Sequence, residues 1–390
     1  MPSPELPART PTSAAALAAV APPDPAAVLA GTDWAALDHA YGPAESTAED
    51  LLGLLDEDPE VQAGSLGALE MSVLHQGSLY TATAPAALFI AGILSDPRTL
   101  VAHEGFFPWD DRVRPLRVAL LEWLGEFAHS AGLDREEWID PDDPEEAGVL
   151  AAVTACQAVR PQVLVAVRPF LDDADPGVRE AALGVVTHLL GAGAEADGFA
   201  ARQAAADRLE HIARTPGGRR ERAAALLTLA QWGRDTAAQL DDPDPAVRTC
   251  AALGTADPAA VEVLLAALAD PAVVDGWFDE PLPQTDGWFR FTVLHGLLDR
   301  ADSFERVLPA ALALVPRSSQ YTVDREWGPL LAFAFAEPHA PEAPLTPAQH
   351  AFLAALVDHD PCWGRIGNRD VWLRGAGLPT SREDLRALLR

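Results

Sequence analysis

Asp242-Pro243-Asp244-Pro245-Ala246-Val247-Arg248-Thr249-Cys250-Ala251-Ala252-Leu253-Gly254 reads as the opening of a helix, and the chain repeats it. Asp173 to Gly184 has nearly the same text, with Asp175-Pro176, Val178, Arg179 and Ala182. Asp56 to Gly67 is a looser copy, with Asp58-Pro59, Val61 and Gln62. The Asp before the proline is a good N-cap, because its carboxylate accepts from free amides of the first turn. Proline suits the first helical position, where a missing N–H costs nothing. The valine is expected to point inward. Ala182 and Ala252 are expected where another helix packs closely.

The spacing suggests an array. Asp58 lies 38 positions before Asp96-Pro97, and Asp175 lies 69 before Asp244. Thr215-Pro216, 40 positions after Asp175, reads as one more helix start. A period near 40 with two helices per unit fits repeat proteins whose units run about 40–47 residues. The Asp-Pro-x-Val-Arg text resembles the HEAT signature, and the chain is similar to the HEAT/armadillo class. The resemblance implies an all-α fold, a right-handed α-α superhelix. It also implies that Asp175 with Arg179, and Asp244 with Arg248, form a ladder between stacked repeats.

Composition agrees with helices. The 390 residues are 49% hydrophobic, much of it alanine, and the net charge is −30. All 28 basic residues are arginine; the missing lysine reads as coding bias. A surface this acidic repels phosphate backbones, which disfavours nucleic acid as a ligand. It favours a basic partner. Cys156, Cys250 and Cys362 are far apart and odd in number, so neither a disulfide framework nor a zinc site is indicated. Buried free thiols in a reducing, cytoplasmic setting are expected, with no cofactor, no metal and a monomeric chain.

In order, residues 1–27 are expected to be a flexible tail, being proline-rich with little bulky apolar mass. Ala14 to Val20 loosely imitates a signal peptide, but its apolar residues are mostly alanine and Glu5 stands where positive charge is wanted. No run reaches the roughly 18 apolar residues of a membrane span. Residues 28–390 are read as one helical-repeat domain. Residues 28–55 form an N-terminal cap in which Trp34, Leu37 and Ala40 make a helical face. Gly105 to Asp111 is an insertion, and an acidic loop with Trp138 runs from Asp134 to Glu146. Residues 346–390 form a C-terminal cap.

Asp33-Trp34, His39-Ala40-Tyr41-Gly42, His75-Gln76-Gly77, Tyr80 and Ala84-Pro85-Ala86 resemble a group of bacterial HEAT-repeat proteins met near toxin–immunity loci. That resemblance covers residues 30–95 and implies a lineage more than an activity.

The candidate binding site is the interruption at 276–289. Gly276-Trp277-Phe278 recurs as Gly287-Trp288-Phe289, with Asp279, Glu280 and Asp286 between. Four large aromatics beside carboxylates have the composition of a binding hot spot with an acidic rim. The competing reading is a loop that folds back and buries its own rings. Other candidates have plainer readings. His39 and His75 suit packing among aromatics, and His103-Glu104 lacks the second histidine of a zincin helix. Asp358-His359-Asp360 with Cys362 is better explained as a helix cap than as a thiol–imidazole pair. The arginine groups 112, 114, 117 and 219, 220, 222 are expected to pair with neighbouring carboxylates, or to line a groove.

The expected function is a non-enzymatic scaffold that binds another, basic protein, and the neighbourhood of its relatives suggests an immunity-type inhibitor of a basic toxin or effector. The alternative is an enzyme resembling HEAT-like alkylpurine DNA glycosylases, with Trp277, Trp288 and Asp286 imitating a groove that holds Trp and a carboxylate. The charge weighs against it. A lyase or chaperone acting on a tethered cofactor has no site in the sequence.

Overall fold

The computed structural model describes residues 20–107, 110, 112–133, 143–191, 196–215, 218–340, 343–365 and 368–390. The chain is 65% helix, with eighteen α-helices and two short hairpins among the described residues. It forms two compact units that meet in sequence between Arg208 and Leu209. The dividing point falls inside one helix, Ala196–Arg214.

The first unit contains α1 (Pro25–Gly31), β1 (Asp38–His39), β2 (Gly42–Pro43), α2 (Thr47–Gly53), α3 (Pro59–Ser72) and α4 (Thr83–Ile93). It continues with β3 (Ala102–Glu104), β4 (Val113–Pro115), α5 (Leu116–Ser130), α6 (Pro144–Val167) and α7 (Pro176–Leu189), up to α8 (Ala196–Arg214). Alternate helices stack: α3 on α5 and α5 on α7 in one row, α1 on α4 and α4 on α6 in another. Phe89, Ile90, Leu120, Leu121 and Phe127 are fully enclosed between them.

The second unit contains α9 (Arg219–Gln231), α10 (Pro245–Leu253), α11 (Ala259–Leu268), α12 (Pro271–Asp275), α13 (Phe289–Leu298) and α14 (Phe304–Leu314). It ends with α15 (Trp327–Ala334), α16 (Pro347–Asp358), α17 (Arg369–Gly375) and α18 (Arg382–Leu388). Here α13 packs on α15 and α15 on α17, while α11 packs on α14 and α14 on α16. Trp327 and Phe352 are the large side chains at its centre.

The repeated helix start has one geometry in all three copies. The first Asp of the Asp-x-Asp-Pro turn accepts the amide of the second: Asp58 N to Asp56 Oδ1 is 2.8 Å, Asp175 to Asp173 2.9 Å, and Asp244 to Asp242 3.0 Å. The second Asp caps the helix at 2.9, 2.7 and 2.9 Å from Glu60 N, Gly177 N and Ala246 N. The residue three past the proline reaches back to the carbonyl of the first Asp. Gln62 Nε2 donates to Asp56 O at 3.0 Å and Arg179 Nη1 to Asp173 O at 2.9 Å; Arg248 does the same to Asp242 O.

This geometry corrects the expected ladder. Arg179 and Arg248 bind carbonyls of their own turns. The ion pairs to these turns come from helices earlier in the chain: Arg117 of α5 lies 3.8 Å from Asp173, Arg219 of α9 2.8 Å from Asp244, and Arg222 pairs with Asp242. Val178 and Val247 are buried with Ala182 and Ala252, as their spacing predicts, whereas Val61 is exposed.

Other expectations shift for identifiable reasons. Trp34–Ala36 is one 3-10 turn, and residues 38–43 form a hairpin instead of a helix. Tertiary hydrogen bonds claim this backbone: Asp38 N donates to Thr81 Oγ1 at 2.8 Å and Ala40 N to Ser72 O at 3.0 Å. Asp96-Pro97 opens only a 3-10 turn, Pro97–Leu100, because the chain then enters β3. Thr215 follows the end of α8 and donates to His211 O, so it is no N-cap; Pro216 lies outside the described residues. The expected 27/28 boundary falls inside α1, which Asp24 caps. A Cβ on Gly92 of α4 would meet Pro23 O at 2.9 Å, so α1 arrives flush on α4. Residues 1–19, with the signal-like stretch up to Ala19, lie outside the described residues, as do residues 134–142 of the acidic loop.

By length and composition, one described stretch, Glu146–Asp172, could cross a membrane. It is α6 and the turn after it. Arg160 in its middle donates to the carbonyls of Ala131, His188 and Leu189, which ties it to the ends of α5 and α7.

Candidate functional site

The doubled Gly-Trp-Phe text lies between α12 and α13, within the second unit. Its two copies are identical in sequence and different in structure. Gly276 ends α12, its amide donating to Ala272 O and Val273 O. Trp277 after it is half-buried and Phe278 is buried. Gly287 adopts φ +74°, a left-handed turn that glycine takes without strain, directly above the Phe291 ring. That turn sends Trp288 outward, 55% exposed, and starts α13 with Phe289 buried.

The rings therefore divide. Phe278 and Phe289 pack edge to face at 5.1 Å, and Trp277 tilts against Phe289 at 6.1 Å. Trp288 alone of the four faces solvent as a large apolar surface. Asp279, Glu280 and Asp286 are exposed around it in sequence. Asp286 is the acceptor in an ion pair with Arg325.

Arginines of α9 hold the loop down. Arg219 Nη1 donates to Trp277 O at 3.4 Å, and Arg220 donates to Glu280 O and, at 3.0 Å, to Pro281 O. Gln231 Nε2 donates to Gln284 O at 3.1 Å, and Gln284 Nε2 to Thr228 Oγ1 at 3.2 Å. A cleft of ≈ 400 Å³ adjoins the loop, lined by Gln284, Asp286, Phe291, His295, Asp299 and Arg325 among others.

The support beneath Trp288 was not legible in the sequence. Arg290, only 4% exposed in its side chain, lies 5.3 Å from the Trp288 ring and 4.7 Å from that of Phe291. It is fixed in turn by Asp275 at the end of α12 and by Glu326 before α15, to which its Nε donates at 2.6 Å. One Arg within an otherwise apolar helix start, Phe289-Arg290-Phe291, was the available signal.

A second polar group lies in the first unit. His103 and Arg114 are paired across β3 and β4. Arg112 and Arg114 both bridge Asp110 to Glu122 of α5, at 2.8–2.9 Å. Burial raises the Asp110 carboxyl, but the two guanidiniums outweigh it and hold it down at about 2. Glu70 of α3 faces this group, and the charge of Arg114 helps it too little to offset what raises it. Burial, then the charge of Glu126, push its carboxyl up to about 7. Among the described residues neither ring nitrogen of buried His103 has a hydrogen-bond partner, and burial lowers its pKa.

The remaining candidates resolve plainly. Cys156, Cys250 and Cys362 are buried free thiols. Burial pushes Cys156 and Cys362 up to about 12, which suppresses the reactive thiolate. His359 contacts Ser318 O at 3.0 Å and Asp360 pairs with Arg382 at 2.6 Å, so the drawn thiol–imidazole pair does not form. Among the described residues no group of three or more His, Cys, Asp or Glu is placed to hold a metal ion. His75 comes together with His39 and Tyr41, more than thirty positions earlier in the chain. No protein-family model and no curated protein matches the chain.

Proposed function

We propose that this chain is a non-enzymatic binding protein and that Trp288 is an anchor for a basic protein partner. The observation that carries this is the mounting of Trp288. An indole left in solvent over a guanidinium that two buried carboxylates fix is preorganised, so binding loses little rotamer entropy there. Trp is among the residues that dominate interface energies, and charges at a rim set association rate and partner choice. Asp279, Glu280 and the overall charge of −30 select a cationic surface. Phe278 and Phe289 belong to the core beneath, and Trp277 is the intermediate layer.

The finer architectural reading is a HEAT-like α-α superhelix, supported by the two rows of alternating helices in each unit and the three matched helix starts. The immunity-type role rests on the resemblance of residues 30–95. A DNA glycosylase-like reading has less support: Asp286 is engaged by Arg325, and the surrounding charge repels phosphates.

The test is a photo-crosslinking amino acid at position 288, with a second at exposed Val371 as control. A basic protein should be captured at 288 and not at 371, and capture should fall as salt rises. Equal recovery at both positions, or nucleic acid as the sole adduct, would refute the reading.

A further inference from the structure

From Thr10 through Pro97 the chain has twelve Asp or Glu and no Lys or Arg. Asp33, Asp38, Glu45, Glu49, Glu57 and Glu60 are exposed. No guanidinium from within this stretch neutralises them. On the same stretch the β1–β2 hairpin and the turn after α3 assemble three rings. His39 and Tyr41 lie 6.2 Å apart at 75°, and Tyr41 and His75 5.8 Å apart at 58°. The histidines are half-buried, while Tyr41 is 65% exposed between them. Acidic side chains reach this group: Asp38 precedes His39 in β1, and Asp50 of α2, next to Glu49, lies within electrostatic reach of His39.

We propose that Tyr41, buttressed by His39 and His75, centres a docking face for an arginine-rich segment of a protein partner, with Asp38, Glu49 and Asp50 as its acidic rim. A guanidinium stacks on a tyrosine face and pairs with carboxylates at once. A lone acidic surface would attract any cation; the exposed ring gives the face its preference for a guanidinium. A second copy of the chain is a poor occupant, since a surface of net charge −30 opposes itself. This face lies in the first unit, and the inference goes beyond the role given to Trp288 and does not depend on it.

The test uses the full chain and an octa-arginine peptide bearing a photo-crosslinker, at physiological salt. Tyr41→Ala should weaken binding about fivefold or more, the scale of a partly desolvated cation–π contact. Tyr41→Phe should stay within about twofold of wild type, since the ring face is kept. Val371→Ala, at an exposed side chain with no part in either face, should leave this binding unchanged. Adducts should map between residues 38 and 76. Unchanged binding in Tyr41→Ala, or adducts scattered over the acidic surface, would overturn the proposal. So would sedimentation showing a wild-type dimer that Tyr41→Ala dissociates, because the occupant would then be a second copy. Tyr41 is exposed, so its variants should melt like wild type, and a melting scan confirms that binding is compared between folded chains.

Discussion

Arg290 donates to Glu326 at 2.6 Å in a place where neither side chain reaches solvent, 4% and 0% exposed. Asp275, also buried, takes the other side of the guanidinium. Removing the cation leaves the carboxylate of Glu326 without its ion pair in the interior and Asp275 with Arg317 alone, at 3.6 Å. Arg290→Met should therefore destabilise the second unit by about 3–5 kcal/mol, the usual cost of orphaning a buried charge. Chemical denaturation measures it. A loss below about 1 kcal/mol would mean that water reaches these carboxylates. Glu326→Gln, which keeps an acceptor for Nε, should cost less than Arg290→Met.

The four aromatics of the loop should separate by stability alone. Phe289→Ala and Phe278→Ala empty core volume and should cost about 3–5 kcal/mol each. Trp288→Ala removes a ring that is 55% exposed and should cost less than about 1 kcal/mol. Denaturation midpoints of the three variants check this. A large loss from Trp288→Ala would make the indole a core residue and remove the case for a binding anchor.

Asp244 caps α10 and pairs with Arg219 at 2.8 Å. Asp244→Ala should cost about 0.5–2 kcal/mol. Burial raises this carboxyl, but Arg219 and the cap amides outweigh it and leave it below its ordinary 3.8. Its contribution is present above that value and fades as pH falls through the lower folded one. The difference in stability between wild type and Asp244→Ala should shrink on acidification, as equilibrium unfolding at several pH values would show.

Glu70 works in the opposite direction. Its folded pKa, about 7, lies above the ordinary 4.5, so the folded state holds the proton more tightly. Stability is highest below about 4.5, declines as pH rises toward 7, and then levels off. At neutral pH Glu70→Gln should stabilise by up to about 3 kcal/mol and flatten this decline. Wild-type stability that does not fall between pH 5 and pH 7, relative to Glu70→Gln, would contradict the placement of this carboxyl.

Local chemistry was legible in the sequence. The caps at Asp58, Asp175 and Asp244, and the helices that follow them, close their hydrogen bonds within two residues, so a short text suffices to specify them. The all-α class followed from those starts and the alanine-rich composition. The position of the candidate loop was legible too, as a break in the helical pattern carrying a doubled tripeptide.

Tertiary structure decided everything that depends on a distant partner. The same Gly-Trp-Phe text yields a half-buried Trp277 and an exposed Trp288, because α9 pins the first copy and Gly287 turns the second away. Val61 is exposed where Val178 and Val247 are buried, although all three follow Asp-Pro at the same offset. Arg290 finds its carboxylates 15 positions back and 36 positions ahead. Tyr41 meets His75 only because residues 38–43 bond to the ends of α3 and the chain beyond it. A helix start is a contract among neighbours in the chain. Exposure and pairing are set by which distant surfaces the packed helices bring together, and no stretch of one helix carries that information.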